Sequence, residues 1–89
     1  MAQLIKVNQD PVKITPTSNN IFSLEEMQGF VEGSIEIVNL SGQRIMIVNE
    51  EGKIKNLPVN QTATTIANFN DIVDIIHGNV IICHQNQIQ

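Results

Sequence analysis

A chain of 89 residues with a formal net charge of −4, one cysteine and neither tryptophan nor tyrosine suffices for one domain, since two would leave neither with a core. Cys83 has no partner for a disulfide, the opening MAQLIKVNQD lacks the basic-then-apolar layout of a signal peptide, and no apolar run reaches the ~20 residues of a membrane span. A pI near 4.9 speaks against nucleic-acid binding, whose domains are usually basic. The expectation is a soluble cytoplasmic protein, with no membrane and no nucleic-acid partner, folded as one domain over 1–84 with a frayed tail over 85–89.

In chain order, residues 3–7 (QLIKV) predict a first strand, and 12–15 (VKIT) alternate with period two as a second, across the turn residues Asn8 to Pro11. Residues 16–20 are a polar loop. Ser23, Leu24, Glu25 and Glu26 then fit a capping box, in which the Ser23 hydroxyl takes the Glu26 amide and the Glu26 carboxylate reaches back. Phe22 and Met27 occupy the two positions of a hydrophobic staple. Leu24, Met27, Phe30 and Val31 form an apolar stripe, and Gly33 is placed to end the helix with positive φ. So short a helix needs a sheet to pack on.

Residues 34–39 and 43–49 predict an antiparallel pair joined through Leu40, Ser41 and Gly42. A turn follows at Asn49, Glu50, Glu51 and Gly52, with positive φ expected at Gly52 and a returning strand at Lys53, Ile54 and Lys55. Pro58 breaks the pattern. Residues 61–68 are ambiguous, 71–76 suit a short helix capped by Asn70 or Asp71 as well as a strand, and 79–83 (NVIIC) read as a central strand, apolar on both faces. The expected fold class is α+β: a single small domain with an antiparallel or mixed sheet, one capped helix on one face, and a second short helix or strand near the C-terminus.

Asn49, Glu50, Glu51, Gly52 and Lys53, followed by Leu57, Pro58 and Asn60, form an N-E-E-G-K-x-x-x-L-P-x-N string. Together with D-I-I-H-G-N-V-I-I-C over 74–83 and the capped helix and strand over 23–38, this resembles a family of small proteins of unknown function found in phages, plasmids and their bacterial hosts. His77 and Asn79 depart from the small or apolar residue and threonine that members tend to show there. The resemblance implies a fold and a mobile-element setting, and no reaction.

The same stretch is the candidate binding site: Asn49, Glu50, Glu51, Gly52, Lys53, Lys55, Leu57, Pro58 and Asn60. Its turn could present amides and carboxylates to a ligand, or it could simply be a turn in which Asn49 bonds its own backbone. The Leu57 to Asn60 loop could bind a partner or plug the core with Leu57. Lys53 and Lys55 are two of only five cations, so an anionic ligand would meet them there. His77, Cys83 and His84 lack the second half of a zinc site, and Cys83 and His84, as neighbours in a strand, point to opposite faces. No catalytic residue, metal or cofactor is expected.

The small size, the absence of catalytic groups and the mobile-element setting that the resemblance implies together suggest a non-catalytic accessory protein of a phage or mobile element that counters a host defence, by binding a defence protein or by sequestering a small anionic signalling molecule. The alternative is a structural or housekeeping interaction module of the element with no inhibitory role. Isoleucine and valine supply 23 residues, asparagine and glutamine 19, and no lysine or arginine follows Lys55. Little charge opposes association of such a sheet, so a homo-oligomer is expected, with a dimer the simplest.

Overall fold

The computed structural model describes residues 2–17 and 19–88. Five strands form one antiparallel sheet: β1 (Ala2–Ile5), β2 (Val12–Ile14), β3 (Ile35–Asn39), β4 (Arg44–Asn49) and β5 (Val80–His84), in the order β2-β1-β5-β4-β3. Two helices complete the domain, α1 (Leu24–Val31) and α2 (Gln61–Phe69). This is the expected α+β class, with the sheet antiparallel throughout.

Period-two alternation sorts the central strands onto two cores. Leu4, Ile45, Ile47, Ile81 and Cys83 pack on one face with Phe22, Met27 and Val31 around α1. Ile5, Met46, Val48, Val80 and Ile82 pack on the other with Ala63, Ala67 and Ile76. A sheet covered on both faces needs strands apolar on both, which is why residues 79–83 carry no alternation and β5 lies in the middle.

The capping box at Ser23 and Glu26 is present with both its bonds, and both staple residues are buried. The helix does not end at Gly33, however. Glu32 takes the left-handed conformation (φ 64°), and Gly33 serves a close approach instead: a Cβ there would lie 2.7 Å from Nδ2 of Asn49.

Two further expectations are corrected. Lys53, Ile54 and Lys55 form no strand, because both edges of β4 are already taken by β3 and β5. Residues 71–76 are neither helix nor strand; Asp71 (φ 63°) turns the chain, Asp74 N donates to Ile72 O (3.1 Å), and the irregular segment leads to Ile76, whose amide donates to Thr64 Oγ1 (2.9 Å). The ambiguous 61–68 is helix. At the C-terminal end, Gln85–Gln87 is a 3-10 turn capped by His84, Gln87 is buried, and its carbonyl accepts from Phe22 N (2.7 Å). Met1, Ser18 and Gln89 lie outside the described residues.

Candidate functional site

After β4 the chain makes a knot of short-range hydrogen bonds over 50–56. The Asn49 carboxamide organises it: Oδ1 accepts from the Glu51 amide (2.8 Å), while Nδ2 donates to the Val31 carbonyl (3.0 Å) and ties the turn to the end of α1. Gly52 N donates to Asn49 O (3.2 Å), Lys55 N to Glu51 O (2.8 Å) and Leu57 N to Gly52 O (2.9 Å). Asn56 (φ 55°) reverses the chain at the end. Gly52 does not have the expected positive φ; it is a glycine because a Cβ would lie 3.0 Å from the His77 carbonyl.

The loop that follows is paired, not free. Gly78 N donates to Pro58 O (2.8 Å), Val59 bridges His77, and Asn60 N donates to Ile76 O (2.8 Å). Nδ1 of His77 lies 2.8 Å from the Leu57 carbonyl, so it donates in the tautomer protonated there. Asn60 is the anchor. It caps α2 by accepting from Ala63 N (3.1 Å), and its Nδ2 donates to both Ile5 O and Gly78 O (2.9 Å each).

The nine candidate residues thus divide. Asn49, Gly52 and Asn60 are buried, and the two asparagine side chains hydrogen-bond within the fold. Leu57 is half-buried over Gly78. Glu50, Glu51, Lys53, Lys55 and Pro58 are exposed. The two lysines do not act as a pair: Lys55 meets Glu51 (3.3 Å), and Lys53 meets Asp74. The Lys53 ammonium is the main cause holding the Asp74 carboxyl below its ordinary range.

Residues not expected from the sequence complete this surface. Ile54 (84% exposed), Val73 (97%) and Ile75 stand out from the turn and from the irregular segment over 72–76. Lys53, Ile54, Asp74 and Ile75 line a shallow cleft of about 270 Å³, and Val73, Ile75, Thr64 and Asn68 line a neighbouring one of about 590 Å³. The only sequence signal was the apolar content of 72–76, which a buried element would explain equally well. Among the described residues no three His, Cys, Asp or Glu side chains are grouped to hold a metal, and none of the helices is long and apolar enough to cross a membrane. Cys83 is buried in the α1 core, which pushes its thiol up to about 11, and His84 Nδ1 accepts from Asn86 N (3.1 Å).

The fold and this surface define a small two-faced α+β domain with a mixed apolar and charged patch at one end. The chain belongs to the family described as Domain of unknown function (DUF3846), whose model matches residues 2–88. No curated protein and no solved structure matches it.

Proposed function

We propose that this chain is a non-catalytic accessory protein of a phage or other mobile element that counters a host defence in the bacterial cytoplasm by binding a defence protein. The observation that carries this reading is the apolar rim of Ile54, Val73 and Ile75 around the Lys53–Asp74 ion pair. Side chains this exposed gain from being covered, and an apolar patch with a polar centre suits a protein surface. The resemblance of 23–83 to proteins of phages and plasmids supports the mobile-element setting. A small anionic signalling molecule is the weaker ligand, because Lys53 and Lys55 are each paired with a carboxylate that would have to be displaced.

The test is phage plating on hosts that carry individual defence systems and express the chain. Wild type should raise plating on one of them. The double variant Ile54→Asp and Val73→Asp should fold normally, since both side chains are exposed, and lose the effect. Lys53→Ala with Lys55→Ala should keep most of it. Loss in the lysine variant alone would favour the anionic molecule. No relief of any defence would favour a structural or housekeeping module of the element.

A further inference from the structure

The two edges of the sheet are built differently. β2 at one edge has Lys13 at its centre and prolines on either side, Pro11 and Pro16. These are devices that discourage a further strand, since proline donates no hydrogen bond and lysine resists burial. β3 at the other edge reads Ile35, Glu36, Ile37, Val38, Asn39, with no proline and no cation.

The register says which of its groups are free. Glu50 N donates to Ser34 O (2.8 Å) and Leu40 N to Arg44 O (2.9 Å), so the even-numbered residues of β3 bond towards β4. The amides and carbonyls of Ile35, Ile37 and Asn39 point outward, and among the described residues none meets a backbone partner there. The Ile37 side chain, on the α1 face opposite Ile47, is 43% exposed and lines an open apolar groove of about 550 Å³ with Leu24, Met27, Ile35 and Ile88.

We infer that β3 pairs antiparallel with β3 of a second copy of this chain, about a two-fold axis at Ile37. That register sets Ile37 opposite Ile37 of the partner copy and Ile35 opposite its Asn39, so every outward amide and carbonyl of the strand is matched. On the other face it sets Glu36 against Val38 of the partner copy. Sliding the strands to place Ile35 opposite Ile37 would instead set the two Glu36 carboxylates face to face and leave the outward groups of Asn39 without a partner strand residue. Charge and hydrogen bonding select the same alignment. The joined sheet has ten strands, and the two Ile37 side chains cover each other beside the groove. Ile54 and Val73 lie outside β3, although Glu36 of the strand also lines the cleft beside Ile54.

Light scattering on the full chain tests it. The expected mass is twice 9.9 kDa, reverting to 9.9 kDa in Ile37→Lys with the circular-dichroism spectrum unchanged. A second measurement does not depend on that variant's folding: Ile37→Cys should be joined into dimers by a short bismaleimide, whereas Lys13→Cys at the opposite edge should not, Cys83 being buried in both. A wild-type mass of 9.9 kDa up to millimolar concentration overturns the proposal and leaves the edge to some other strand. So does a dimer linked through position 13 and not through position 37.

Discussion

The side-chain amide of Asn60 donates to the carbonyl of Ile5, 55 residues earlier in the chain, at 2.9 Å. The bond joins the end of β1 to the start of α2. A second donation from the same nitrogen, to Gly78 O, brings in the entry to β5. Three segments that approach one another only in the folded state are thus held by one buried carboxamide, whose Oδ1 caps α2 through Ala63 N. Every polar atom of the side chain is used, and no buried side-chain nitrogen or oxygen among the described residues is left unpaired.

Replacing Asn60 by alanine should therefore be among the most damaging single substitutions in the chain. It removes a helix cap, worth ~1 kcal/mol. It also removes the donor to two buried carbonyls, at ~1–3 kcal/mol for each left unsatisfied. The expected loss is about 3 kcal/mol or more, read from the midpoint of urea unfolding at unchanged slope. Asn60→Asp should rescue little, because it keeps the capping oxygen but sets a buried carboxylate oxygen against the Ile5 and Gly78 carbonyls. A variant as stable as wild type would mean that the three segments are held by packing alone.

The end of α1 gives a pair of opposite effects from neighbouring positions. Glu32 holds a left-handed conformation that costs an L-residue ~1–2 kcal/mol, and its carboxylate sits unfavourably at the negative end of the helix. Glu32→Gly should thus stabilise by about 1 kcal/mol, raising Tm by ~4–8 °C in a domain of this size. Gly33→Ala should destabilise by ~1–3 kcal/mol, because the new methyl would press on Asn49 Nδ2, which is committed to Val31 O. If both Gly33→Ala and Glu32→Gly were harmful and the Gly33→Ala loss did not depend on Asn49, the left-handed residue would be Gly33 after all.

Glu32 and Gly33 also mark where legibility in the sequence stopped. The capping box, the staple and the Ile/Val strands were readable because each is a local pattern, and the unalternating 79–83 disclosed a central strand. Gly33 was readable as special but not for its reason, since its neighbour Asn49 lies on β4. The α2 segment, QTATTIANF, is poor in strong helix formers; it is helical because Asn60 caps it and because Ala63 and Ala67, one turn apart, are buried in the second core. Asn60 looked like a surface loop residue for the same reason that it is buried: its partners Ile5 and Gly78 are distant in sequence. Of the candidate site, the charged turn was legible and the apolar rim of Val73 and Ile75 was not, because nothing local distinguishes exposed isoleucine or valine from a buried strand.

The acid limb of stability should report on Glu26. Its carboxyl is held below the ordinary 4.5, first by the Thr17 hydroxyl (2.6 Å) and then by the Ser23 amide (3.0 Å), with the Thr17 amide (3.0 Å) adding a third donor. All three bonds favour the ionised form. A carboxyl whose folded pKa lies below its unfolded value stabilises the fold fully above the unfolded pKa, and that contribution disappears as pH falls through the folded value. Glu26→Gln keeps the shape and a weaker acceptor but does not titrate. The difference in Tm between wild type and Glu26→Gln should therefore be constant from neutral pH down to about 4.5 and should narrow below it, with salt reducing it little because the partners are hydrogen-bond donors, not distant charges. A series of thermal melts across that range reads the effect directly. A difference that does not change with pH would show that the carboxylate contributes no more to the N-terminus of α1 than the uncharged amide.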